Sequence, residues 1–232
     1  MRFIIAPLAL LFSASLASSQ TDKINFRTLA LDNSKFPELW ATASEKAVPL
    51  AFSNSQPSTA LKADKANPMK IFKGPLDDKG IPSDPAPSLV PLPATTSILL
   101  LAWMKDEKPE FLAVEDAFTT AKTDDWLVIN HSDKPLTVQI GATDKPLTVA
   151  PNSQLAFKCT APVGSGAAAT VASQQADGAW KTIYTSYLPI YPDKRGIILA
   201  AQNGERIKVN YISDELAPKS PAKPPTKPAA KR

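Results

Sequence analysis

Residues that carry chemistry are scarce in this chain. Among its 232 residues there is one cysteine, Cys159, one histidine, His131, and only eight glycines. A lone thiol cannot close an intramolecular disulfide, so the fold has to be held by core burial. One histidine and one cysteine fall short of a blue-copper set, and reach a zinc set only with several carboxylates, so no metal and no cofactor is expected. With so few glycines and no phosphate-cradling loop, a nucleotide site of that kind is excluded. A serine nucleophile would have to use His131 as its base, and no glycine-flanked nucleophile turn is present. His131 lies in Asn130-His131-Ser132-Asp133 and reads as a turn residue at a strand end. Long helices are excluded by 23 prolines; only Phe36 to Ala43, after the cap candidate Ser34, reads as a turn or two of helix.

What is present begins with one long apolar run. Arg2 precedes a stretch from Phe3 to Leu16 interrupted only by Pro7, Ser13 and Ser15, too short to span a bilayer and followed by small residues. It reads as a secretory signal peptide over residues 1–19, cut after Ala17 or Ser19, with neither site followed by a lipid-accepting cysteine. The expected product is exported to the periplasm, cell envelope or extracellular space, with no transmembrane segment after cleavage.

The strand signals are β-branched and aromatic: Ile24 to Leu31, Val48 to Phe52, Met69 to Phe72, Trp126 to Asn130, Gln154 to Cys159, Ala168 to Ser173 and Trp180 to Tyr187. Cys159 alternates with Leu155 and Phe157, which makes it a small core residue. Asp133-Lys134-Pro135-Leu136-Thr137-Val138 returns as Asp144-Lys145-Pro146-Leu147-Thr148-Val149, a turn and strand repeated, with each proline opening its strand or on an edge.

A longer repeat sets the domain count. Leu99-Leu100-Leu101-Ala102 matches Ile197-Ile198-Leu199-Ala200, 98 residues later, and each is followed without a gap by a second arm ending in aspartate, Glu110 to Asp116 and Lys208 to Asp214. Both copies read as hairpins, with Asn203-Gly204 the expected turn of the second. The predicted fold is all-β: two tandem antiparallel β-sandwich domains of immunoglobulin-like type, residues 20–116 and 123–215, with the boundary near Ala117 to Lys122. Between strands, Lys73 to Pro93 holds six prolines after the lysine and reads as a long surface loop.

Residues 217–232 contain only proline, lysine, alanine, serine, threonine and one arginine and are expected to be disordered. Taking the five charges of Lys219, Lys223, Lys227, Lys231 and Arg232, and that of Arg2, from the net charge of +4 leaves −2 for the globular part. The basic character therefore belongs to the tail, which excludes a nucleic-acid-binding face on the body. The tail is a candidate electrostatic tether to an anionic envelope polymer, or else a solubiliser.

Trp180, Tyr184, Tyr187 and Tyr191 are the candidate ligand-binding residues, since exposed aromatics stack on sugars or partner proteins and Trp180 and Tyr184 share a face if the strand is regular. The competing assignment is core packing for Trp180 with rim tyrosines, and Trp40, Trp103 and Trp126 carry the same one. The acid pairs Asp77-Asp78 and Asp124-Asp125 sit beside turn residues and are assigned no role.

The segments 26–31 (FRTLAL), 48–53 (VPLAFS), 99–101 (LLL) and 127–132 (LVINHS) resemble an uncharacterised group of exported bacterial proteins, and 130–157 is similar to other exported sandwiches in which an asparagine-ended strand precedes a strand pair. The resemblance implies export and β architecture and brings no catalytic residue. The expected function is a non-enzymatic binding or structural module of the envelope, binding a polymer or partner protein. The alternatives are a periplasmic hydrolase, which needs at least two acids converging in a cleft, and a two-domain chaperone, which needs a basic cleft between domains.

Overall fold

The computed structural model describes residues 23–41, 47–84, 86–118, 124–141, 145–162 and 164–215. The expected signal-peptide segment and the lysine-bearing residues 217–232 lie outside the described residues, as does most of the expected boundary segment. The described residues form sixteen strands and no helix, so none of them forms a helix long and apolar enough to cross a membrane.

The strands divide into two eight-stranded sandwich units. The first contains β1 (Lys23–Ala30), β2 (Leu39–Ala41), β3 (Val48–Leu50), β4 (Leu61–Asp64), β5 (Met69–Lys73), β6 (Ser88–Val90), β7 (Ser97–Lys105) and β8 (Lys108–Glu115). The second contains β9 (Asp125–His131), β10 (Leu136–Ile140), β11 (Leu147–Val149), β12 (Ser153–Lys158), β13 (Gly166–Gln174), β14 (Trp180–Pro189), β15 (Lys194–Asn203) and β16 (Arg206–Glu215). Their sheets have the orders β4-β1-β7-β8 and β3-β2-β5-β6 in the first unit, and β12-β9-β15-β16 and β11-β10-β13-β14 in the second. Adding eight to each strand number of the first unit reproduces the second. Pairing is antiparallel except for one parallel contact per unit, β1 with β7 and β9 with β15.

The 98-residue repeat holds at the level of register. Leu99 pairs with Val114 and Ile197 with Ile212, and the hairpins close over equivalent two-residue turns, Asp106-Glu107 and Gly204-Glu205. The second turn thus lies one residue beyond the expected Asn203-Gly204, because Asn203 is still paired with Arg206. All three non-strand residues that take positive φ there, Asp106, Glu107 and Gly204, supply the left-handed geometry that tight hairpins require.

Two other expectations are corrected and a third holds. The helix expected from Phe36 is absent: Leu39–Ala41 is strand β2, whose Leu39 and Ala41 are buried between β3 and β5, so tertiary pairing overrides a short local signal. The proline-rich segment from Lys73 is not entirely loop, since it carries edge strand β6 and a bridge between Leu76 and Pro82. Pro135 and Pro146 immediately precede β10 and β11, as expected of residues that cannot donate to a ladder.

Three apolar layers hold the four sheets. Ile24, Phe26, Ile98 and Leu100 face β2, β3, β5 and β6 across the first core, where they meet Leu39, Met69 and Ile71. Trp126, Val128, Ile198 and Ala200 face Val138, Ala169 and Val171 across the second, which also encloses Cys159. The intervening residues of the same strands, Leu29, Leu99, Leu101, Leu127, Ile129, Ile197 and Leu199, form a third layer between the units. Successive side chains of a strand point to opposite faces, so β7, β9 and β15 are buried on both sides and read as uninterrupted apolar runs. A buried apolar seam of this kind opposes the relative motion that tandem domains otherwise show.

Candidate functional site

The seam has two polar ends, and strand alternation decides which side chains reach each. Continuing the seam-facing positions of β1, β8 and β16 outward from Leu29, Val114 and Ile212 leads to Arg27, Asp116 and Asp214. The Arg27 guanidinium donates through Nε and Nη2 to both oxygens of Asp116, at 2.7 and 2.8 Å, and crosses the seam to both oxygens of Asp214, at 2.5 and 3.0 Å. Arg195 Nη2 donates to Asp214 Oδ2 at 2.7 Å, and its guanidinium lies 3.7 Å from the centre of the Phe118 ring. Burial disfavours the Arg27 charge, but the hydrogen bonds and charges of Asp116 and Asp214 outweigh it and hold the group more firmly protonated than usual. Every carboxylate oxygen of this pair is thus occupied by a guanidinium. A hollow of about 570 Å³ opens beside this clasp, lined in part by Gln56, Ser58 and Thr59.

At the other end the same alternation delivers Leu31 just after β1, Trp103 from β7 and His131 from β9, and the two hairpins add Glu110 and Lys208. They line a cleft of about 490 Å³ that is open to solvent and also bounded by Asp32 and Gln202. The rings of Trp103 and His131 meet across the seam with centroids 4.8 Å apart. Burial pushes the His131 imidazole below its usual range, with the charge of Glu110 and the side chain of Asn152 opposing this, so the ring is neutral at neutral pH. His131 Nδ1 and Gln202 Oε1 are buried and make no hydrogen bond within the protein. Lys105 lies 3.6 Å from Glu110 in an exposed ion pair.

A serine–histidine pair does not form beside this cleft. Ser132 is buried, and its Oγ donates to Asn130 Oδ1 at 2.7 Å, while Asn130 Nδ2 donates to the carbonyls of Lys134 and Ala150. These contacts fasten the turn after β9.

The four aromatic residues singled out in the sequence are not brought to one face. β14 is irregular: Tyr184 pairs with Val171 and Thr182 with Ala172, leaving Ile183 as an extra residue. A bulge of this kind reverses the alternation. Tyr184 therefore packs inward on the second core, while Trp180 and Tyr187 face outward, 44% and 70% exposed. Seven residues of strand separate those two, about 20 Å at the usual rise. The Tyr187 ring lies over Gly166, where a Cβ would meet it at 2.0 Å, and Tyr191 lies beyond the strand with the Lys194 ammonium 5.4 Å from its ring centre. Among the other tryptophans, Trp126 is a core residue stacked on Tyr211 at 5.5 Å, and Trp40 donates through Nε1 to the Gly74 carbonyl. The tether candidates Lys219, Lys223, Lys227, Lys231 and Arg232 lie outside the described residues.

Neither seam end was singled out from the sequence. The signal for the clasp was the aspartate closing both repeat arms, Asp116 and Asp214, together with the spacing of Arg27, Leu29 and Leu31 along one strand face. The signal for the cleft was weaker, because its residues come from six separate strands or the turns beside them.

Among known proteins, no family model matches this chain and no curated protein matches it.

Proposed function

We propose that this protein is an exported, non-enzymatic binding module of the cell envelope, which holds its ligand at the seam of two fused sandwiches. The cleft carries this reading: it is an open hollow of mixed polarity whose walls come from both units and are kept in register by an apolar layer and the Arg27 clasp. The apolar leader ahead of Ser18 and the likeness of segments such as 127–132 to exported bacterial proteins support export. The cationic tail adds a long-range electrostatic tether to an anionic envelope polymer.

The alternatives have less support. The hydrolase has its converging acids in Asp116 and Asp214, but their oxygens are engaged by Arg27 and Arg195 and are not poised for proton transfer. The chaperone requires a basic cleft between the domains, whereas both arginines at one seam end are paired with aspartates and at the other Lys105 and Lys208 are matched by Asp32 and Glu110.

Salt-dependent co-sedimentation of the mature protein with its own isolated envelope, with and without residues 217–232, tests the proposal. Binding by the full chain that weakens with salt or on removing the tail is the expected result. No sedimentation of either form at low salt would overturn it.

A further inference from the structure

We propose that the cleft beside Trp103 and His131 is a binding site for a neutral, hydroxyl-rich ligand, a short stretch of glycan. This inference rests on the envelope-binding function proposed above and gives that function a ligand class.

The charges at the site exclude other classes. Asp32 and Glu110 are balanced by Lys105 and Lys208, so the cleft has no net sign with which to select an anion or a cation. A wholly apolar ligand would cover Asp32 and Lys208 on the cleft wall without hydrogen-bonding them, at a cost of about 1–3 kcal/mol for each group. A sugar hydroxyl is both donor and acceptor, and can donate to Asp32 or accept from Lys208. Trp103, which lines the cleft, supplies an aromatic surface on which the C–H face of a pyranose can stack, and His131 packs against that ring at an angle of 49°. The volume of about 490 Å³ lies within the usual small-molecule range of about 300–1,000 Å³.

Pseudo-symmetry sharpens the point. Register makes Leu31 equivalent to His131, Trp103 to Ala201, Met104 to Gln202 and Glu110 to Lys208. The two units keep the same backbone and the same apolar seam, yet at the cleft each pair differs in chemical type. An asymmetric cleft on a near-symmetric frame gives a ligand one orientation, as a directional glycan chain requires.

Calorimetric titration of the full mature chain with short gluco-, malto- and chito-oligosaccharides tests the assignment. We expect saturable binding to at least one of them that survives about 0.5 M salt, since a neutral ligand has no charge to screen. We further expect a loss of at least tenfold in affinity in Trp103→Ala and of several-fold in Lys208→Ala, each with an unchanged circular dichroism spectrum. Lys208→Ala keeps the question open to a result if truncating Trp103 unfolds the chain. Absence of saturable binding to all three series, or binding unchanged in the folded variants, would overturn the assignment. Envelope co-sedimentation distinguishes the two proposals: a chain that sediments but ignores the oligosaccharides has lost only its ligand class, whereas one that binds oligosaccharides through the cleft but never sediments has lost only its envelope role.

Discussion

The two ends of the inter-unit seam are built largely from the same strands and have different chemistry. At the Arg27 end, two carboxylates and two guanidiniums converge, every carboxylate oxygen is engaged, and Asp214 is only 2% exposed, with Arg195 Nε left without a partner. At the Trp103 end, Asp32, Lys105, Glu110 and Lys208 converge on a hollow open to water. A buried cluster whose opposite charges are paired is a structural lock, and an open, polar-lined hollow is a place where another molecule can supply hydrogen bonds. That difference is the basis for treating the first end as a clasp and the second as a site.

The comparison breaks most visibly at the clasp. Arg27→Ala strands Asp116 and the buried Asp214, and should cost about 3–5 kcal/mol in urea unfolding, the usual loss when one partner of a buried pair is removed. A cycle with Asp116→Asn should show a coupling of about 0.5–3 kcal/mol, whereas additive losses would mean that the pair is not coupled. Between the two ends, Leu199→Ala opens a cavity in the seam and should cost about 2–5 kcal/mol by the same measurement. Gly196→Ala drives a methyl into the Trp126 ring, which a Cβ would meet at 2.4 Å, and should cost about 1–3 kcal/mol. A thermal melt unchanged from wild type would show that Trp126 can move aside.

The smallest effect is expected at the cleft. Burial lowers the His131 pKa in the folded chain, while the unfolded value is near about 6.5, so the unfolded state binds more protons as pH falls through that region. The contribution is fully present above about pH 6.5 and is lost toward acid. His131→Gln should flatten this part of the stability profile relative to wild type, read from urea midpoints across pH 5 to 8, roughly the range in which histidine titrates. An unchanged slope would place the titrating group elsewhere.

Much of the architecture was legible because burial on both faces leaves an unambiguous trace. Leu99 to Ala102 and Ile197 to Ala200 are apolar at every position, and their common register follows from a gapless repeat. Strands β2, β4 and β6 were not legible, since three or four residues are too few to show alternation and their pairing comes from distant segments. The aromatic face expected on Trp180 to Tyr191 failed for a reason invisible in composition: one extra residue, Ile183, turns Tyr184 inward.

The sequence by itself determined the β class, the two-fold repetition, the candidate leader and the concentration of positive charge in residues 217–232, because each is a property of local composition or periodicity. Only the tertiary structure decided that the two units share a third apolar layer, that Arg27 reaches an aspartate 187 residues away, and that Trp103 meets His131 in a cleft. Those contacts depend on which faces of separate sheets are pressed together, and that choice is made by packing over the whole molecule.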